Sequence, residues 1–532
     1  MNYADLFRVT LPETALEVAA LLVLIVDLGF LRKAALKLRV IVATLLGVAG
    51  CGAALFILLR SGAMWFPQFK ILEGTVYPID YEGHILSGIG YVTVAQIGIL
   101  VLTALTLLLL IDSDFTRHVG EFVAVVLMAA SGGLLIASAV DLLVIFVGLE
   151  LLSLGLYIMT AFAKSSGKSA EAAMKYYLFG GMSAAFLLFG FSYFYGMTGS
   201  TNINEIHDAI VAQGPSPLFY VAWILVVAGL GFKVAAVPFH LWAPDTYEGA
   251  PAPAAAFIAS VSKVASFTLL ITLLQTWMTF HGTFDLGKKD FDKLLFSFDQ
   301  TWLPLTTILL IVAAASMVIG NLAALAQVSV RRLLAYSAIA HAGYILLGVA
   351  VFKMYTGHES WIIETQNPIV VSENAVLYYI LTYGLTTIGA FGVVSVVERA
   401  TGSDKLDAFL GLHKRNPLLA AVLLVLFLSL AGIPPLVGFW AKFNLFAAVL
   451  GVSAGPVPFA LVSLAVAMSA VSLYYYLQVL KRAYVMPAVD ETPIKAHPVT
   501  MAVLLLIAAT VVVLGCFPAL LQNWIASFYP AL

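Results

Sequence analysis

Charge is scarce in this sequence. Only 11% of its 532 residues are Asp, Glu, Lys or Arg, against about 25% in an ordinary soluble domain. No basic tract is dense enough to hold nucleic acid, and a net charge of −2 points to no partner. Cysteine is nearly absent. Cys51 and Cys516 stand alone in separate apolar stretches without CxxC spacing, which leaves no disulfide framework, iron–sulfur motif or haem-attachment motif in view. Both are expected to be small core residues. Long hydrophilic stretches are missing too: residues 61–88, 276–301 and 353–372 are too short to hold a catalytic fold. Gly167-Lys168-Ser169 ends like a phosphate-binding loop, but Phe162 stands where such a loop needs glycine. A short basic loop is the better reading.

Apolar sequence fills the space these absences leave. Hydrophobic residues make up 62% of the chain and mean hydropathy is +1.00. A helix needs ~20 apolar residues to cross the hydrocarbon. Fourteen segments qualify, at 12–31, 39–60, 89–111, 119–140, 141–163, 171–196, 219–242, 253–275, 302–322, 331–352, 373–398, 417–449, 457–480 and 498–520. The expected fold is therefore an all-α polytopic membrane protein with about 14 transmembrane helices. Sixteen loop cations, among them Arg32, Lys33, Arg39, Lys168, Arg331, Arg332 and Arg399, fall on one side, and seven fall on the other. The positive-inside rule puts the sixteen in the cytoplasm and both termini outside. The first segment lacks a basic n-region, contains Glu13 and Glu17, and ends in Leu31-Arg32-Lys33. It reads as a span and not as a cleavable signal peptide.

Four lysines lie inside these apolar stretches: Lys175, Lys233, Lys263 and Lys442. A charge at mid-bilayer costs roughly 2.5–3.5 kcal/mol on insertion scales, so intramembrane lysines usually serve a function. Glu150, His240 and His341 sit at comparable depth. Lys233 is expected near mid-membrane in helix 7, paired with Glu150 of helix 5, since an unpaired buried charge would neutralise. A purely structural ion pair is the competing reading. Lys263 has Ser260 and Ser266 on its own face. His240 would share the face of Lys233 if helix 7 continued through Pro238, and His341 has Ser337 and Tyr344 one turn away. Lys175, only a few residues into helix 6, could instead snorkel to the surface. Burial penalises an ammonium and an approaching carboxylate favours it, so such a line of groups suits proton transfer. Serine, histidine and water would conduct between the lysines.

Two helices are expected to be broken. Pro238 interrupts helix 7 a few residues after Lys233, and Gly432-Ile-Pro434-Pro435-Leu-Val-Gly438 interrupts helix 12 just before Lys442. Interruptions at corresponding places in two halves point to an ion path. Helices 4–8 (119–275) and 9–13 (302–482) would then be two five-helix repeats, inverted because each has an odd number of spans. Helices 1–3 (1–118) precede them and helix 14 (498–532) follows.

Several of these segments carry a resemblance. Gly148-Leu-Glu-Leu-Leu-Ser153, Lys175-Tyr-Tyr-Leu-Phe-Gly180, Phe232-Lys-Val-Ala-Ala-Val-Pro-Phe-His240, Arg332 through Tyr344 and Leu430 through Lys442 resemble the antiporter-like subunits of respiratory complex I. Lys442 stands where the subunit M branch carries glutamate. The chain ends soon after helix 14, without room for the long lateral helix of the subunit L branch. The resemblance implies a proton-translocating membrane-arm subunit of NADH:quinone oxidoreductase in a bacterial cytoplasmic membrane. It implies a Glu150–Lys233 pair, a path through Lys263 and Lys442, and a link between the halves at His341. It also implies no cofactor in this chain, with flavin, iron–sulfur clusters and quinone in partner subunits. The partners would be subunit M, the small subunits K and J, and lipid. The rival readings are a subunit of an Mrp-type cation/proton antiporter and a scaffold whose charges are structural.

Overall fold

A computed structural model describes residue 7 and residues 10–65, 71–72, 75–76, 90–276, 288–351, 368–452, 455–488 and 491–528. Helices dominate it. Eleven described helices are long and apolar enough to cross a membrane, and Pro217–Lys233, Pro417–Ala431 and Val437–Gly451 are shorter apolar helices. In chain order they begin with α1 (Leu11–Leu24), extended by a π-helical turn at Ile25–Phe30, then α2 (Leu36–Trp65), α3 (Gly90–Leu109), α4 (Val119–Ser138), α5 (Leu142–Thr160) and α6 (Gly167–Thr198). Next come α7 (Ile203–Gln213), α8 (Pro217–Lys233), α9 (Trp242–Gly249), α10 (Ala252–Ala259), α11 (Val261–Thr276), α12 (Lys288–Leu325) and α13 (Val330–Val351). The rest are α14 (Pro368–Thr401), α15 (Leu412–Arg415), α16 (Pro417–Ala431), α17 (Val437–Val452), α18 (Pro456–Tyr484), α19 (Pro498–Cys516) and α20 (Ala519–Ala526). The fold is an all-α polytopic membrane protein.

Burial separates the helices into a centre and a rim. The apolar window of α10 and α11 is wholly buried, and those of α13 and α14 nearly so. By contrast α18, α6, α2 and α19 turn most of their apolar surface outward. On α6 the outward face is Met174, Tyr177, Leu178, Met182 and Phe189. That is the expected arrangement where lipid or another membrane chain is the solvent, because apolar surface gains nothing by turning inward there. Cys51 is buried as expected, but Cys516 is exposed, for the same reason.

Helix ends follow local chemistry. Asp141 caps α5 by accepting from Leu143 N and Val144 N, Asn202 caps α7, and proline opens α8, α16, α18 and α19, where its missing N–H costs nothing. Several expectations change. Helix 7 does not run to residue 242. It stops at Lys233, and residues 234–241 are irregular, with a cis Val237–Pro238 bond. Helix 8 is not continuous: Ser260, at φ −117° and ψ −76°, divides α10 from α11. Part of the stretch expected as a loop at 276–301 is helical from Lys288. The short amphipathic α7 lies between two spans where only a loop was expected. The break in helix 12 is where the Gly/Pro run places it, between α16 and α17, with a cis Pro434–Pro435 bond.

One end of the bundle is fastened by charge. Asp27 accepts from Arg39 at 2.6 and 2.7 Å and from the backbone N–H of Gly120. Arg331 donates to the carbonyl of Ala250 and pairs with Glu398 at 3.3 Å, and Arg399 pairs with Asp112. These cations all come from the loops that the positive-inside count places together.

Candidate proton path in the membrane core

The broken helix around Lys233 is satisfied without a continuous backbone ladder. Trp242 Nε1 donates to the carbonyl of Phe232 at 3.0 Å, and Val237 N donates to Ser316 Oγ at 2.9 Å. Irregular backbone at membrane depth is tolerated only when protein supplies such partners. Lys233, the last residue of α8, is buried and donates through Nζ to Ser153 Oγ. Ser153 in turn donates to the carbonyl of Leu149. Glu150, one turn before Ser153, acts on Lys233 through its charge. No ion pair within 4.0 Å joins the two. Ser153 therefore takes the place expected of Glu150 as the direct partner, because the helix ends at Lys233 and directs the ammonium at Ser153. His240 lies in the irregular segment and not on the helical face of Lys233. It is half-buried, and its Nδ1 has no hydrogen-bond partner.

Lys263 follows the break at Ser260. Its Nζ donates to the carbonyl of Ala338 on α13 and lies 5.4 Å from the ring centre of Tyr383 on α14. The serines flanking it do not hold it: Ser260 Oγ donates to the carbonyl of Ala256 at 2.6 Å, and Ser266 Oγ has no partner. His341, also buried, makes a 2.8 Å hydrogen bond through Nδ1 with Tyr379 Oη and has the Tyr383 ring centre 4.7 Å away. A small cavity bounded by His341, Tyr379, Tyr383, Thr386, Ser429 and Gly438 adjoins it, with room for roughly one water. Lys442 lies just beyond, on α17. Its Nζ donates to Ser469 Oγ at 2.7 Å and to the carbonyl of Ala431 at 3.0 Å, the latter freed by the break between α16 and α17. Its stem packs on Gly432, whose φ of 87° and missing Cβ allow the approach: a Cβ would stand 3.0 Å from Lys442 Cδ.

Sequence reasoning placed Tyr344 one turn from His341 but missed the other tyrosines. Tyr344 lies under Lys442 at 5.4 Å and shares Asn321 with Tyr475 through two 3.1 Å hydrogen bonds, while Tyr476 meets Ser337. Tyr383 faces Lys263, Tyr344 faces Lys442, and Tyr344, Tyr379 and Tyr383 pack around His341, with Tyr379 Oη hydrogen-bonded to it. Their signal was visible as Tyr378-Tyr379, Tyr383 and Tyr474-Tyr475-Tyr476 in otherwise apolar helices. Hydroxyls donate and accept at once, so this lining can pass a proton between groups that never touch.

Lys175 stands apart from these residues. It is 41% exposed and pairs with Glu171 and Asp245, both at 2.7 Å. Asp245 also accepts from Arg332 at 2.6 Å. Glu248 joins Arg332 at 3.0 Å and Lys168 at 3.1 Å. Asp245 and Glu248 belong to the short polar helix α9, outside the apolar spans. Partial desolvation acts to raise both carboxyls, but the hydrogen bonds and charges of Lys175, Arg332 and Lys168 prevail and hold them below their ordinary values. A depressed carboxyl stabilises the folded state above its unfolded pKa, and that contribution disappears as pH falls through the folded value. The melting temperature of the detergent-solubilised protein is therefore expected to fall below about pH 4. In the Asp245→Asn, Glu248→Gln double variant this acid-side slope should flatten. An unchanged slope would show that the cluster contributes nothing to stability.

The fold and the buried groups define a class: a polytopic all-α membrane protein whose core carries isolated lysines, a histidine and tyrosines between broken helices. Comparison with known proteins is specific. The chain belongs to the NADH:quinone oxidoreductase/Mrp antiporter transmembrane family, whose family model matches residues 139–284 and 293–471. It is 45% identical over 99% of both chains to NADH-quinone oxidoreductase subunit N 2 of Acidobacterium capsulatum. It is 41% identical to subunit N 1 of Roseiflexus castenholzii, over 80% of this chain and 76% of that one. Among solved structures, a chain of respiratory complex I from Thermus thermophilus is 32% identical with a TM-score of 0.71, covering 96% of this chain and 98% of that one. A chain of the Mrp complex from Dietzia is 20% identical with a TM-score of 0.73, covering 97% and 96%, and shares the fold.

Proposed function

We propose that this chain is a proton-translocating membrane-arm subunit of an NADH:quinone oxidoreductase, of the subunit N type. One observation carries the mechanism. Among the described residues, no carboxylate lies within 4.0 Å of Lys233, Lys263 or Lys442; each donates to serine hydroxyls or backbone carbonyls. A structural ion pair buried in a membrane would compensate its lysine directly. A lysine held by neutral acceptors can lose its proton without leaving an anion stranded.

Protons would move between Lys233 and Lys263, then through the Tyr383–His341–Tyr379 group to Lys442. Glu150 would bias Lys233 by its charge. Moving a charge across the membrane costs ~2.3 kcal/mol per 100 mV, a scale that a shift of a carboxylate near a buried ammonium can match. We read the regions 119–275 and 302–482 as inverted repeats, because the break after Lys233 has its counterpart in the break before Lys442. Lys175 would anchor α6 to α9 and would not carry protons. The membrane would be the bacterial cytoplasmic membrane, with both termini on the periplasmic side. Subunit M and the small subunits K and J would be neighbours, and flavin, iron–sulfur clusters and quinone would reside in other chains.

The test is made on the assembled complex. Mild-detergent purification should bring down NADH-oxidising chains with this one, whereas Mrp-type partners and sodium-dependent activity would favour the antiporter reading. In inverted vesicles Lys233→Ala should lower the protons taken up per NADH oxidised. An unchanged ratio in a fully assembled complex would remove Lys233 from the path and restore the scaffold reading.

A further inference from the structure

A second polar group lies at the end of the bundle opposite the ion-pair belt. The belt end is marked by Ala250–Arg331–Glu398 and by Asp112–Arg399. Helix α11 runs away from Ala250 and α3 runs toward Asp112. Helix α14 runs toward Glu398. Thr272, Tyr91 and Glu373 therefore all lie at the far end. There Tyr91 Oη donates to Thr272 Oγ1 at 3.0 Å, and Glu373 is close enough to Tyr91 to act on it through its charge. All three are at most 2% exposed.

The same two helices that flank this group also flank Lys263. Lys263 on α11 faces Tyr383 on α14, and further along the pair Thr272 on α11 accepts from Tyr91, on which the charge of Glu373 on α14 acts. The helices are antiparallel, and the two pairings fit one register: nine residues separate Lys263 from Thr272 and ten separate Glu373 from Tyr383. The interval is about 13–15 Å at 1.5 Å per residue. It carries Ser266, buried with its Oγ unpartnered, and Thr268, whose backbone carbonyl accepts from Thr272 at 3.1 Å. Ser266, Thr268, Thr272, Tyr91 and Glu373 all lie off the line from Lys233 through Lys263 to Lys442.

We infer that Thr272, Tyr91 and Glu373 form a proton outlet between Lys263 and the membrane face opposite the ion-pair belt, with Glu373 as its terminal carboxylate. The inference rests on the proton-translocation reading above. The Lys263 ammonium gives up one proton. Ser266, bridging water and the hydroxyls of Thr272 and Tyr91 each accept a proton and pass one on, and the Glu373 carboxylate becomes a carboxyl. Glu373 then releases that proton to water at the nearby face and returns to the carboxylate. The hydroxyls rotate back to restore the Tyr91-to-Thr272 hydrogen bond. Net, Lys263 loses one proton and the outer water gains one.

Groups in series on one path are not additive, which sets the test. In inverted vesicles carrying the assembled complex, Glu373→Gln should lower protons moved per NADH to the level of Lys233→Ala. The double variant should fall no further, and Glu373→Asp should recover most of the ratio. If Lys233→Ala lowers the ratio and Glu373→Gln leaves it at the wild-type value, the outlet is overturned while the function stands. If neither variant lowers it, the translocation reading itself fails. Should Glu373→Gln not assemble, Tyr91→Phe and Thr272→Val are read in the same way: a fall supports the outlet and a wild-type ratio in both overturns it.

Discussion

Replacing Lys263 by alanine in the assembled complex is expected to slow NADH-driven proton uptake by inverted vesicles about tenfold or more, equivalent to ~1.4 kcal/mol or more on the limiting barrier. Lys263 is buried at the break between α10 and α11, with the carbonyl of Ala338 as its acceptor and the Tyr383 ring beside it. No other amine in the described core is placed to connect the Lys233 half to His341. The more discriminating variant is Lys263→Arg. A guanidinium preserves the charge and can donate to the same carbonyl, but it does not deprotonate in proteins. A fixed-charge role would survive that exchange, whereas a relay would fail as badly as with alanine. Wild-type proton uptake by an assembled Lys263→Arg complex would sink the relay.

Gly438→Ala is expected to cost about 3 kcal/mol or more, at the upper end of overpacking penalties, and to remove most assembled protein from the membrane. Gly438 begins the return of the chain into α17 after the helix 12 break. Its N–H donates to Ser429 Oγ at 3.1 Å. A Cβ there would stand 1.8 Å from the backbone carbonyl oxygen of Ser429. Backbone cannot swing aside as a flexible side chain can, so α16 and α17 would have to separate. That movement would open the contact that frees the Ala431 carbonyl for Lys442. Gly181→Ala on α6, where a Cβ meets nothing within 4 Å, is the matched control. Native gels and melting curves would decide the matter. Equal yield and melting temperature for the two variants would show that close packing at the break is not what holds helix 12 together.

The differences between sequence and structure have identifiable causes. The breaks at Pro238 and at Pro434-Pro435 were legible because proline removes a backbone donor wherever it stands. The break at Ser260 was not, since serine is compatible with a helix. Its side chain instead bonds the Ala256 carbonyl, and only the packed neighbours of α10 and α11 determine that the helix is interrupted there. The same limit applies to Lys233 and Glu150. Their depth and opposite charge suggested a direct pair, but the helix ends at Lys233 and its ammonium reaches Ser153. Lys175 could be read as buried or snorkelling until Asp245, seventy residues away in sequence, was placed beside it.

The residue pattern by itself determined that this chain is an all-α membrane protein. It also determined that Lys233, Lys263 and Lys442 are buried and that helices 7 and 12 break beside two of them. These are consequences of transfer energies and backbone donors, which are local properties of a segment in lipid. Tertiary structure alone decided what each lysine faces: Ser153, the Ala338 carbonyl, and Ser469 with the Ala431 carbonyl. It also gathered Tyr344, Tyr379 and Tyr383 around His341 and joined Tyr91 to Thr272. A partner within hydrogen-bonding distance depends on how distant helices cross, and hydrophobic periodicity does not encode that crossing.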